Sequence, residues 1–164
     1  MRAGLLRVNG ARSLEEPPVS IRAAVTTDWP GISAQLTASA LPLGGARDHL
    51  DGFLVAEAGG ALVGVIGLER YADGVLLRSA CVDDAWRGRG MGEALVRAIV
   101  ARAEAAGDPA VFLLTETAEA WFPRFGFVRV TREEVPMSVK ASVEFTTVCP
   151  ASAVVMRRPL APAR

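Results

Sequence analysis

The chain has 164 residues, 51% hydrophobic and 22% charged, which excludes disorder for its bulk and fits one domain with an ordinary core. Eighteen basic residues balance eighteen acidic ones, for a net charge of zero, so the positive excess that draws in a nucleic acid is missing. No apolar run reaches the ~18 residues of a membrane span, and Met1–Ser20 holds Arg2, Arg7 and Arg12 without the apolar centre of a secretory signal. Cys81 and Cys149 are too few for a disulfide framework and point to reduced thiols in a cytoplasmic protein.

Residues 1–18 show no periodicity and end in Glu15-Glu16-Pro17-Pro18, the pattern of a loose leader before a single domain over 19–160. Val19–Ala23 is a short strand. Thr27-Asp28-Trp29-Pro30 opens a helix, with Thr27 or Asp28 as cap and Pro30 in the first turn, running to about Ala40. Gly44–His49 reads as a loop. Strands Phe53–Ala58, Ala61–Tyr71 and Val75–Val82 are separated by Gly59-Gly60 and Ala72-Asp73-Gly74, which predicts an antiparallel meander. Glu93–Ala106 places Leu95, Val96, Ile99, Val100 and Ala103 at helical spacing, and Gly107-Asp108-Pro109 stops it. Ala110–Leu114 is fully apolar and should be a buried central strand. Thr117–Phe125 is expected to be a short helix closed by Gly126, and Phe127–Val130 a strand. Residues 131–150 are irregular, with a helical turn after Pro136, and Ser152–Arg157 is the last strand. The order predicts an α+β domain: a mixed, mostly antiparallel twisted sheet flanked by helices.

Between the third meander strand and the long helix lies Cys81-Val82-Asp83-Asp84-Ala85-Trp86-Arg87-Gly88-Arg89-Gly90-Met91-Gly92. The first N–H groups of a helix lack internal partners and carry partial positive charge. Glycines let backbone approach a ligand closely, and Arg87 and Arg89 add mobile charge, so this stretch suits a phosphate or pyrophosphate. A dinucleotide fingerprint starting at Gly88 fails at Glu93, and a Walker loop fails because Lys140 is the only lysine.

What fits is Arg/Gln-x-x-Gly-x-Gly/Ala, met by Arg87, Gly90 and Gly92. With Val82-Asp83 upstream and Ala118–Phe127 ending in Gly126-Phe127, the chain resembles the GNAT superfamily of acetyltransferases over about residues 19–130. The resemblance implies acetyl-CoA as acyl donor, no metal, and direct transfer to an amine. It places cofactor contacts at Cys81, Val82, Arg87, Gly88, Arg89, Gly90, Met91, Gly92 and Glu93. A backbone N–H at Cys81 or Val82, freed where the fourth and fifth strands splay, would polarise the thioester carbonyl. Thr115 stands where the family often has Asn on the pantetheine arm. Phe122 stands where it usually has a proton-donating Tyr; water, Ser79 or Cys81 would have to substitute.

For the base, Glu116 is the first candidate, where the apolar strand ends, and Glu69 the second. The competing readings are a helix-start charge for Glu116 and a solvent-facing strand residue for Glu69. Arg78 could fork onto a substrate carboxylate, and Ser79 and His49 complete the substrate-contact set. Leu114–Ala118 and Cys149–Ala153 resemble a GNAT subgroup found in bacterial arsenic-resistance operons, which implies an amine-bearing organoarsenical or amino-acid-like acceptor. Family members often pair through their C-terminal strands, which implies a homodimer. The partner expected is a small-molecule amine, with no nucleic acid and no membrane. The alternatives are a CoA-binding regulator without transfer, a protein N-terminal acetyltransferase, and a metalloid-binding protein using Cys81 and Cys149.

Overall fold

The computed structural model describes residues 16–162, so most of the expected leader, residues 1–15, lies outside the described residues. Seven strands form one sheet: β1 (Val19–Ala23), β2 (Phe53–Ala58), β3 (Ala61–Tyr71), β4 (Gly74–Val82), β5 (Ala110–Thr115), β6 (Val128–Val130) and β7 (Val154–Pro159). Their spatial order is β1-β2-β3-β4-β5-β7-β6, and only β4 and β5 run parallel. The last strand therefore inserts between β5 and β6, pairing Ala110 with Pro159 and Val128 with Arg157. Gly59 and Gly60 take φ of +57° and +80°, the conformation a two-residue turn needs to match strand twist.

Helices cover both faces, which is why β2, β3 and β4 read as nearly continuous apolar runs. Helix α2 (Met91–Ala105) packs Leu95, Val96, Ile99, Val100 and Ala103 against Leu54, Ile66, Leu68, Leu77, Val111 and Leu113. Helix α1 (Trp29–Ala38) lays Ile32 and Leu36 over Phe53, Val55, Val65 and Cys81 on the opposite face. Neighbours along β3 confirm the alternation, since Val65 belongs to the α1 side and Ile66 to the α2 side. The short α3 (Met137–Lys140) adds Val139 to a third cluster with Leu76, Phe112 and Val155.

The chain departs from the sequence expectation in three places. Helix α1 ends at Ala38, because Ala40 turns to φ +55°. The expected loop 44–49 passes at Arg47 into a 3-10 stretch, Arg47–Gly52. The expected helix Thr117–Phe125 is a single 3-10 turn, Phe122–Phe125. Pro123 explains the last: it has no N–H to donate and its ring would clash with the carbonyl four residues earlier.

The feature that positions the site is the incompleteness of the β4–β5 pair. Pairing covers only Val75–Leu77 against Val111–Leu113, while β4 continues to Val82 and β5 to Thr115. The β3–β4 register shifts between Val65 and Gly67, leaving Ser79 and Ala80 opposite Ile66, and Ser79 takes φ +60°. A bulge of this kind bends its strand and sharpens the twist, turning the end of β4 away from β5.

Candidate active site

The splay opens two cavities that share Ser39 and Leu41 as a common wall. The first, about 680 Å³, lies against the glycine loop and the start of α2. Gly90 is the N-cap of α2, with φ +79° and no capping side chain, and Gly88 takes φ +75°. A Cβ at either glycine would meet nothing within 4 Å, so backbone conformation and open space for a ligand, not crowding by the chain, call for glycine there. The first N–H groups of α2 thus face a cavity large enough for a cofactor arm.

Around this cradle, Arg87 donates from Nε to the Val82 carbonyl at 3.2 Å and pairs with Asp84 at 3.0 Å, its side chain largely exposed. Arg89 pairs with Glu16 and lies over the Trp86 ring at 4.9 Å. Glu93 lines the cavity and takes Arg97 as its partner at 2.9 Å. Met91 and Gly92 line it too, and the Trp121 ring comes within 3.6 Å of where a Gly92 Cβ would stand. Arg124, which the sequence reading missed, adds a second guanidinium over Trp121 at 5.7 Å.

Strand alternation decides between the two backbone donors. Asp83 donates to the Val63 carbonyl at 2.9 Å and Cys81 stands opposite Val65, so the Cys81 amide faces β3. Val82, one residue on, directs its N–H to the open side of the splay. Cys81 lines the same cavity, and burial pushes its thiol up to about 11. Phe122 is 6% exposed and packs edge-on against Trp121 and Phe127. It is absent from this wall, where Trp121 supplies the aromatic surface.

The second cavity, about 520 Å³, lies on the other side of the Ser79 bulge. Ser79, Thr115 and Glu116 line it, as do Glu144 and Cys149, neither of which sequence reasoning singled out for this role. Thr115 Oγ1 accepts the Ala118 N–H at 3.0 Å, so its hydroxyl caps the turn after β5. Glu116 is exposed and contributes a carboxylate to the wall.

Arg78 is buried at the back of this cavity, with each of its three guanidinium nitrogens held by the chain. Nε donates to Ser79 Oγ, Nη1 to Gly44 O and to Glu69 at 2.9 Å, and Nη2 to Pro42 O, while Glu144 Oε1 forms an ion pair with Nη2 at 3.0 Å. The fork expected toward a substrate carboxylate is thus made to the chain's own carboxylates. Glu69, fully buried, also accepts from Tyr71 Oη at 2.5 Å and Ser142 Oγ at 2.6 Å. It lines neither cavity, so both expectations for it, base and solvent-facing residue, give way to a buried anchor for Arg78. His49 stands behind it, Nε2 at 3.6 Å from Glu69, and likewise lines neither cavity. Burial first, then the Glu69 carboxylate, pushes the Tyr71 hydroxyl up to about 12. Cys149 donates its S–H to Glu144 at 2.8 Å, and burial followed by that hydrogen bond pushes the thiol up to about 12.

A twisted sheet splayed between its parallel strands, with a glycine loop and open helix N-terminus at the gap, is the GNAT fold. Residues 49–129, just under half of the chain, match the family described as acetyltransferase (GNAT) domain. Over 86 residues the chain is 36% identical to an amino-acid acetyltransferase of Ralstonia nicotianae, a stretch covering 51% of this chain and 19% of that protein. N-acetylglutamate synthase from Neisseria gonorrhoeae, solved with coenzyme A and N-acetyl-glutamate, superposes with a TM-score of 0.75 at 24% identity, over 90% of this chain and 36% of that one. Rv2747 from Mycobacterium tuberculosis, solved with CoA and NLQ, gives 0.74 at 25% identity, over 87% and 99%. The chain thus spans about a fifth of the first relative and about a third of the synthase. Among the described residues no helix is long and apolar enough to cross a membrane, and no group of three or more His, Cys, Asp or Glu could hold a metal.

Proposed function

We propose that the chain is an N-acetyltransferase that moves acetyl from acetyl-CoA to the primary amine of a small molecule, within a single domain over 19–160. The observation that carries this is the meeting of the two cavities at the β4 bulge, one faced by the open start of α2 and the other by carboxylates. Arg87, Arg89 and the N–H groups at the start of α2 hold the pyrophosphate. Val82 N–H holds the thioester oxygen, and such a donor is worth about 3–4 kcal/mol of barrier. Glu116 takes the amine proton from the acceptor side. With Phe122 in place of a tyrosine, the departing thiolate takes its proton from water or from Ser79, which lines the second cavity at the bulge.

An amino-acid-like acceptor is supported by what the relatives act on. The organoarsenical acceptor and the homodimer rest on the sequence resemblance alone, and the cytoplasmic location on the two unpaired cysteines.

The test is thermal melting with acetyl-CoA, joined to CoA release on addition of an amine panel. Ligand at ~100-fold over Kd adds about 2.7 kcal/mol, a rise of about 5–10 °C for a domain of this size. Arg87→Ala should shrink that rise. Glu116→Gln should keep it and lower turnover at neutral pH. No shift at millimolar acetyl-CoA overturns the reading; a shift without CoA release leaves a regulator that binds acetyl-CoA and transfers nothing.

A further inference from the structure

The acceptor cavity holds a carboxylate that belongs to the chain itself. Glu144 places Oε1 on Arg78 Nη2 at 3.0 Å and takes the Cys149 thiol on Oε2 at 2.8 Å, and all three residues line the cavity. Arg78 is the only cationic side chain lining that cavity among the described residues. Its far edge is fixed: Glu69 and Gly44 O hold Nη1, and Ser79 holds Nε. The guanidinium is therefore immobile, and Nη2, which also donates to Pro42 O, is the nitrogen that meets Glu144.

The two carboxylates on Arg78 are not held alike. Glu69 sits within the long central strand β3, with a hydroxyl from Tyr71 and another from Ser142. Glu144 begins a π-helical turn, Glu144–Val148, in which Cys149 N–H reaches back to Glu144 O at 3.0 Å. Turns with this wider spacing are rare and gather at functional sites. Two carboxylates on one guanidinium are also one more than its charge balances, so loss of Glu144 from Nη2 leaves Arg78 and Glu69 as a neutral pair.

We propose that Glu144 is the exchangeable occupant of a carboxylate subsite: an acceptor bearing a carboxylate displaces it from Arg78, and this exchange selects amino acids over plain amines. The inference rests on the N-acetyltransferase reading and narrows its acceptor. The Nη2 nitrogen that Glu144 vacates offers the acceptor's carboxylate a charge-assisted contact, and the acceptor's own ammonium can meet the released Glu144 as it enters.

The experiment compares paired acceptors, L-phenylalanine with 2-phenylethylamine and L-glutamine with 4-aminobutanamide, in the wild type and in Glu144→Gln. The wild type should show the lower KM for each amino acid. Glu144→Gln removes the competing charge and should widen the KM ratio between amine and amino acid at least threefold. Arg78→Lys keeps a cation without the fork and should narrow it. Should Glu144→Gln fail to fold, the wild-type preference and the Arg78→Lys ratio still decide. Amines acetylated as well as or better than the amino acids, or a ratio unmoved by Glu144→Gln, overturn this inference and leave N-acetyl transfer standing. No CoA release with either member of any pair sinks both.

Discussion

Cys149 and Glu144 illustrate how far the chemistry of a residue departs from its type. A cysteine in an enzyme cavity invites a nucleophilic reading, yet this thiol donates its proton to a carboxylate and its pKa is pushed up to about 12. The thiolate is the reactive form, so a rise from 9.0 to about 12 cuts its neutral-pH population about a thousandfold. Alkylation of Cys149 by iodoacetamide at pH 7.5 should therefore run about a hundredfold or more slower than that of a free cysteine, read by peptide mass mapping. A rate near that of the free thiol would mean that the Glu144 hydrogen bond is not kept in solution. The sequence carried the glycine loop at this scale because a short local pattern fixes it. Arg78, Glu69 and Glu144 lie 9 and 66 positions apart along the chain, and no spacing rule joins them. Glu69 shows the consequence: on an alternating strand it reads as base or surface residue, and only the return of Ser142 and Arg78 makes it an anchor.

At the level of elements, periodicity carried most of the fold. All seven strands and both long helices stand where hydrophobic spacing and turn residues put them, to within a few residues. At 117–125 the stop at Gly126 holds, but Pro123 inside the stretch breaks the helix before it. Glycines mark a second limit, because identical residues serve opposite ends. Gly52 is needed for closeness: a Cβ there would stand 2.1 Å from the Leu68 carbonyl oxygen. Gly60 is needed only for its φ of +80°, with nothing within 4 Å of a Cβ. Gly52→Ala must push β3 away from the Arg47–Gly52 turn and should cost about 3 kcal/mol, lowering the melting midpoint by about 6–12 °C. Gly60→Ala strains a turn that faces solvent and should cost about 1–2 kcal/mol. Equal losses in the two variants would contradict the close approach at Leu68.

For the whole molecule, burial of protonated groups ties stability to pH on the alkaline side. Burial is the largest cause in raising Cys81 to about 11, Cys149 to about 12 and Tyr71 to about 12, from 9.0, 9.0 and 10.0. A group whose folded pKa lies above its unfolded value stabilises fully below the unfolded value. Above it, the unfolded chain loses its proton first, and the contribution drains away as pH rises through the folded value. All three act in one direction, so stability should hold to about pH 9 and fall steadily from there toward 12. The acid side has the opposite sign. The Arg22 hydrogen bond to Asp28 lowers that carboxyl from 3.8 to about 2, so its contribution is present above about pH 4 and lost as pH falls through 2. Urea midpoints from pH 4 to 11 should trace a plateau with a shoulder beginning near pH 9. Cys81→Ala leaves only the Cys149 and Tyr71 contributions and should make the alkaline decline shallower. A midpoint that stays level to pH 11 would mean that the three groups meet water in the folded state as freely as in the unfolded chain, and the walls around Cys81 and Cys149 would have to be open.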